Sequence, residues 1–291
     1  MQIIKNLTLT CALLIACSAS AETTVDSEHV HAYAANAGWM NTAGDTTHGL
    51  QVGTSYCAGF VWSPTCGWIS LGNGPTNGWR YTNNSATDWG VNHDGLGGLT
   101  GYAYGANIGW ITFENTFGKP HLDLRTGVMS GSAWSCNIGW IGFSNTVAFV
   151  QMNRFETGPD ADEDGIGDPW EYQTAGTLTV LNGSSSDADG DNTSDADEFL
   201  AGTNPLDDSD FLHISEFLKI GQSDQVSWPT QPTRLYRIEH TDQLGPSANW
   251  SDSGLGVIPG NNQGELVRLF PSPSPSTGFY RIKALLPFTT H

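Results

Sequence analysis

An aromatic residue six positions ahead of a Gly-Trp pair recurs four times between residues 30 and 145, and this register constrains the fold more than any other feature. The segments align without gaps: Ala32-Tyr33-Ala-Ala-Asn36-Ala-Gly-Trp39, Val61-Trp62-Ser-Pro-Thr-Cys66-Gly-Trp68, Ala103-Tyr104-Gly-Ala-Asn107-Ile-Gly-Trp110 and Ala133-Trp134-Ser-Cys-Asn137-Ile-Gly-Trp140. In the last three the Trp is followed by Ile-x-Leu/Phe (Ile69 and Leu71, Ile111 and Phe113, Ile141 and Phe143), and Gly59, Gly101 and Gly131 open the same three. Alternation of this kind has the period of a strand, and Asn-x-Gly in three of the four is turn chemistry, so each unit predicts a hairpin. Successive Trp residues are 29, 42 and 30 apart, giving a unit of about 30 residues with an insertion near 75–85 in the third. Tryptophan at a fixed register is ordinarily core, which is the expectation for these four units. Trp79 and Trp89 fall outside the register in a polar loop, and are the candidate platform for a surface glycan or another surface protein.

A second feature is electrostatic. Of 30 acidic residues, 16 lie between Glu156 and Asp210, where there is no Lys or Arg. So many carboxylates in one stretch repel one another unless a cation joins them. Two twelve-residue loops organise them. Asp160, Asp162, Asp164, Asp168 and Glu171 occupy positions 1, 3, 5, 9 and 12 of the first, and Asp187, Asp189, Asp191, Asp195 and Glu198 those of the second. That is calcium-loop spacing: short carboxylates wrap the ion early, and a longer Glu supplies two oxygens from the far side. Ile166 and Thr193, at position 7, complete each set. Gly165 and Asn192 stand at position 6, where the chain must turn sharply. Asp207 and Asp208 are candidate extra ligands. Ca²⁺ is therefore the cofactor expected from the sequence.

Here the chain resembles the bacterial thrombospondin type 3 repeat, including its Glu198-Phe-Leu-Ala-Gly-Thr-Asn-Pro-Leu-Asp-Asp208 ending. The resemblance covers about 50 residues and implies calcium binding with ligands shared between neighbouring ions.

Residues 1–21 read as an export signal. Met1–Lys5 is a short basic region, Leu7–Ala16 an apolar run and Ala19-Ser20-Ala21 an A-x-A cleavage site. The apolar run is too short to span a bilayer, and no other stretch is a transmembrane candidate. A competing lipoprotein-like box, Leu14-Ile-Ala-Cys17, would leave Cys17 acylated. The expected address is periplasmic, cell-surface or extracellular. An oxidising compartment favours one disulfide among Cys57, Cys66 and Cys136, and Cys57 with Cys66 is the expected pair, a Cys66–Cys136 bridge being the alternative. At net charge −19, nucleic acid and anionic membranes are excluded as partners.

The histidines offer another candidate site. His48, His93 and His121 lie on or beside repeat strands. With export and Trp-rich hairpins, they loosely resemble surface copper-binding proteins of methane-oxidising bacteria, which implies copper at these residues; here, however, no Trp lies two residues before a His, the placement that family uses. After Asp210 come alternating runs, including Gln225-Val-Ser-Trp228, Leu235-Tyr236-Arg237-Ile238-Glu239 and Phe279-Tyr280-Arg281-Ile282. They resemble the C-terminal β-sandwich that follows type 3 repeats in secreted bacterial proteins, with Tyr236, Trp250 and Tyr280 as core. Outside the acidic loops no local carboxylate pair, Gly-x-Ser-x-Gly or His-Glu-x-x-His is present, so catalysis is not expected. A carbohydrate-active enzyme or its accessory module is the alternative, because paired carboxylates can come from distant strands.

The expected layout is all-β: a Trp-rich hairpin-repeat domain over 22–150, a calcium-binding acidic linker over 156–210 and a β-sandwich over 211–291. The expected function is binding or display.

Overall fold

The computed structural model describes residues 23–45, 47–272 and 278–288. The export signal and the Cys17 alternative lie outside the described residues. Among the described residues the fold is all-β apart from two seven-residue helices and one 3₁₀ turn.

The four repeats are four antiparallel hairpins: Val25–Ala34 with Gly38–Asn41, Phe60–Ser63 with Gly67–Ser70, Leu99–Gly105 with Gly109–Thr112, and Ser132–Ser135 with Gly139–Gly142. Each pairs with the next, and the last returns to the first through Tyr33↔Gly142 and Ala34↔Ile141. Eight strands thus close into a barrel with no free edge.

Each hairpin contributes one small and one large inward side chain at the same level. The pairs are Ala32↔Met40, Val61↔Ile69, Ala103↔Ile111 and Ala133↔Ile141, all buried. Alternating small with large lets eight side chains fill the bore of an eight-stranded barrel. Only about 40 Å³ of void remains among them, so the barrel is a packed core and no container. Its lower end is plugged by the residue before each turn glycine: Ala37, Cys66, Ile108 and Ile138. The turn asparagines tie hairpin to hairpin there. Asn36 Nδ2 donates to the Ile138 carbonyl (3.2 Å), Asn107 to that of Cys66 (3.1 Å) and Asn137 to that of Ile108 (2.9 Å). Gly59, Gly101 and Gly131 open their hairpins at positive φ, and a Cβ on any of them would strike a backbone oxygen of the preceding connection. That is why glycine recurs at this position.

The disulfide expectation is corrected: Cys57, Cys66 and Cys136 are all free. Cys57 and Cys66 are both buried, but the strands Cys57–Ala58 and Phe60–Ser63 run between them. Extended chain advances about 3.3 Å per residue, so nearness in sequence is not nearness in space here.

Beyond the acidic segment, two antiparallel sheets enclose a core of Val226, Trp228, Tyr236, Ile238, Ile258, Leu266 and Phe270. Tyr236 is buried as expected, whereas Trp250 and Tyr280 are only half-buried, Trp250 lying beneath the Arg281 guanidinium. This part touches the others. Buried Arg234 donates to the carbonyls of Phe199 (2.8 Å) and Leu200 (2.9 Å), and the Phe155 and Phe288 rings meet at 4.8 Å.

Candidate metal centre

The acidic segment folds as two copies of one device, a loop running into a short helix. Helix α1 spans Asp168–Thr174 and α2 spans Asp195–Ala201. Each helix begins at loop position 9, so position 12 falls in its first turn and the glutamate points back toward the loop. Gly165 (φ +94°) and Asn192 (φ +77°) are left-handed at position 6, as expected. Glu163 (φ +61°) and Gly190 (φ +83°) are left-handed at position 4 as well, a second bend that spacing alone does not show.

Asp160, Asp162 and Asp164 each present an oxygen within 4.8 Å of the others, and so do Asp187, Asp189 and Asp191. Backbone N–H groups brace the position-1 side chains: Gly165 donates to Asp160 Oδ2 (3.0 Å) and Asn192 to Asp187 Oδ2 (3.0 Å). Glu171 and Glu198 are completely buried. Neither carboxylate oxygen of Glu171 has a hydrogen-bond partner, nor have Glu198 Oε2, Asp164 Oδ2, Asp189 Oδ2 and Asp191 Oδ2. Burial, and then repulsion from Asp162, Asp164, Asp168 and Asp160, push the Glu171 carboxyl up to about 8. Glu198 is also pushed up to about 8, chiefly by burial, although Thr203 donates to its Oε1 (3.2 Å). Asp164 and Asp189 are raised for the same first reason.

A buried, unpartnered carboxylate is costly, and several facing one another cost more. A hard divalent cation answers that arrangement, because it takes oxygen ligands only and cancels the repulsion. The donor set therefore fits Ca²⁺.

Position 9 carries hydrogen bonds that its spacing does not show. Asp168 Oδ1 accepts from the Ala161 N–H (2.7 Å), while Asp195 accepts from Ala188 (3.0 Å) and Asn182 (3.2 Å). These side chains brace the loops. Asp207 and Asp208 join neither triad, and Asp207 Oδ1 instead accepts from the Ser209 N–H (3.1 Å) and hydroxyl (2.6 Å). The two loop–helix units share a small core of Ile166, Leu181 and Phe199, with Trp170 packed against Phe199 at 5.2 Å. Ile166 and Thr193 sit at position 7 of their loops; Ile166 belongs to that core and Thr193 is half-buried.

The copper candidates do not join a cluster of metal-ligating side chains among the described residues. His93 is buried, its Nδ1 donating to the Gly53 carbonyl (3.0 Å) and its Nε2 accepting from the Gly97 N–H (3.2 Å). Both ring nitrogens are spent on backbone, and burial holds the imidazole down at about 4. His48 is exposed beside Asp45, His121 is exposed on its own short strand, and no described cluster of three metal-ligating side chains includes a histidine.

The expectation that the register tryptophans are core is corrected. Tyr33, Trp39, Trp62, Trp68, Tyr104, Trp110 and Trp140 are 36–49 % exposed, and only Trp134 of the eight register aromatics is half-buried. Trp79 and Trp89 are half-buried, with Trp89 packed edge-on against Trp110 at 5.1 Å. The signal was present in the sequence: the alternation that turns Ile111 and Phe113 inward turns Trp110 outward.

No family model, no curated protein and no solved structure matches the chain.

Proposed function

We propose that this chain is an exported, calcium-binding modular protein that acts by binding or display. On this reading it is laid out as a signal peptide over 1–21, the barrel domain over 22–150, a type 3-like calcium segment over 156–210 and a C-terminal β-sandwich over 211–291. One observation carries the calcium reading: six carboxylate oxygens on Asp164, Glu171, Asp189, Asp191 and Glu198 are buried without a partner.

In the first site Asp160, Asp162 and Asp164, the Ile166 carbonyl and Glu171 hold the ion, with Asp168 bracing the loop. In the second Asp187, Asp189 and Asp191, the Thr193 carbonyl and Glu198 hold it, with Asp195 bracing. Bound Ca²⁺ supplies positive charge that joins loop to helix. Sites of this class in extracellular modules bind at ~10⁻⁴–10⁻³ M, which suits a protein bathed in the ion.

The test is calorimetric titration of Ca²⁺ into the wild type and Glu171→Gln. Two sites are expected in the wild type, with one weakened at least tenfold in the variant. Absence of heat at millimolar Ca²⁺ would refute the reading. Above pH 8, where the buried Glu171 carboxyl is ionised, Glu171→Gln should also raise the thermal midpoint of the ion-free protein, because it removes a buried charge that nothing answers.

A further inference from the structure

The outer face of the barrel has a composition found nowhere else in this chain. The eight barrel spans are His31–Ala34, Gly38–Asn41, Phe60–Ser63, Gly67–Ser70, Tyr102–Gly105, Gly109–Thr112, Ser132–Ser135 and Gly139–Gly142, and they contain no Asp, Glu, Lys or Arg. Nor do the four turns that close the hairpins. In a protein whose residues are 14 % charged, a stretch this long would ordinarily carry several charges.

Eight of the aromatics on that face stand in four directly opposed pairs, with Phe60 and Tyr102 packed beside Trp68 and Trp110. Tyr33 faces Trp39 at 4.8 Å between ring centroids, Trp62 faces Trp68 at 4.8 Å, Tyr104 faces Trp110 at 5.0 Å and Trp134 faces Trp140 at 4.8 Å. The rings of each pair are inclined by 56–63°. Between the pairs the register sets small neutral residues: Asn41 opposite Trp62, Ser70 opposite Tyr104, Thr112 opposite Trp134 and Gly142 opposite Tyr33. Asn41, Ser70 and Thr112 each accept a backbone N–H through the side-chain oxygen, which leaves their own hydrogens to donate outward.

Cross-strand aromatic pairs stabilise a sheet by only about 0.2–1 kcal/mol each. Leaving so much aromatic surface in water marks a place of interaction. We propose that this belt binds a neutral polysaccharide, its rings stacking on the C–H faces of sugar residues and its Asn, Ser and Thr side chains meeting hydroxyls. Three features select that occupant. The face carries no charge in a chain of net charge −19, which fits a neutral ligand and opposes an anionic one. The same subsite is repeated four times around the barrel, which fits a ligand that is itself a repeat and gains by multiple engagement. Asn41, Ser70 and Thr112 stand at the level of the rings between neighbouring pairs and offer hydrogen bonds there, which fits a ligand rich in hydroxyls better than the apolar centre of an interface with a second protein copy.

This inference deepens the proposal that the protein acts by binding, and it does not depend on calcium. The test is retention of the full mature chain on microcrystalline cellulose, chitin and β-mannan, with alginate and polygalacturonate as anionic controls, in Ca²⁺ and in EDTA. Retention is expected on at least one neutral polymer and on neither anionic one, and it should survive EDTA. Trp68→Ala and Trp140→Ala should each lower it several-fold, and the double variant should abolish it while thermal unfolding of the barrel is preserved. Trp68→Phe should restore part of it, whereas Leu269→Ser, on the exposed C-terminal sheet, should change nothing. Any of these results would overturn the proposal: no retention on any neutral polymer, equal retention on alginate, an unaffected double variant, or belt variants that alter only self-association measured by sedimentation. Loss of retention in EDTA alone would assign the binding to the acidic segment and overturn the belt, leaving the calcium reading intact.

Discussion

The barrel and the acidic segment solve the burial problem in opposite senses. The barrel turns its largest aromatic side chains outward and fills its bore with Ala, Val, Met and Ile. The acidic segment turns Glu171 and Glu198 inward and buries both oxygens of the first and one of the second without a partner, around a core of three buried apolar residues, Ile166, Leu181 and Phe199. A closed barrel can do the first because its eight strands pair in a continuous ring around a filled interior, so its core does not depend on the outer face. A segment with so small a core holds buried carboxylates only at a cost. On the proposed reading a bound ion offsets that cost, whereas the barrel is complete as a polypeptide.

Five experiments press on that contrast, and the removal of calcium is the most severe. In EDTA, limited proteolysis should cut within 156–210 and leave the barrel resistant; cleavage of the barrel at the same rate would end the comparison. The ion-free segment should also respond to pH in an unusual direction. Its buried glutamates titrate near 8 when folded against an ordinary 4.5, so the folded form holds the extra protons between those values. Stability of the ion-free segment should accordingly fall as pH rises from about 4.5 to 8. Added Ca²⁺ should reverse that slope, because it competes with the same protons. Hydrogen exchange across pH, with and without the ion, measures both.

In the barrel the largest single effect should come from the bore. Ile111→Ala should destabilise by about 2–5 kcal/mol in denaturant unfolding, since the closed wall cannot collapse around the void. Trp110→Ala, one residue away but outward-facing, should cost no more than about 1 kcal/mol. Equal losses would show that the belt is structural.

His93 provides a pH effect of the opposite sign to that of the glutamates. Its folded value near 4 lies below the ordinary 6.5, so the unfolded chain takes up the proton first as pH falls. The protein should lose up to about 3 kcal/mol between pH 6.5 and 4, and His93→Gln should flatten that part of the curve. The smallest expected effect is Asn137→Ala, which removes one hairpin-to-hairpin hydrogen bond and should lower stability by about 1 kcal/mol. The second hairpin, where Thr65 replaces the turn asparagine, already lacks an equivalent tie.

The sequence by itself determined the four hairpins, the turn glycines and the two acidic loops, because each rests on contacts a few residues apart. Period-two alternation, a turn needing positive φ and a twelve-residue loop are all local. It also held the outward direction of the belt, since Ile111 and Phe113 inward require Trp110 outward; the usual burial of tryptophan pointed the other way and was the weaker rule. What only the tertiary structure decided is non-local. Closure of the barrel depends on Ala34 meeting Ile141 across more than a hundred residues. The separation of Cys57 from Cys66, the capture of both His93 nitrogens by distant backbone and the bracing role of Asp168 and Asp195 follow from how the connections pack. Spacing lists which side chains can reach a common point along the chain. Whether their polar atoms remain free there is settled by what the rest of the fold brings against them.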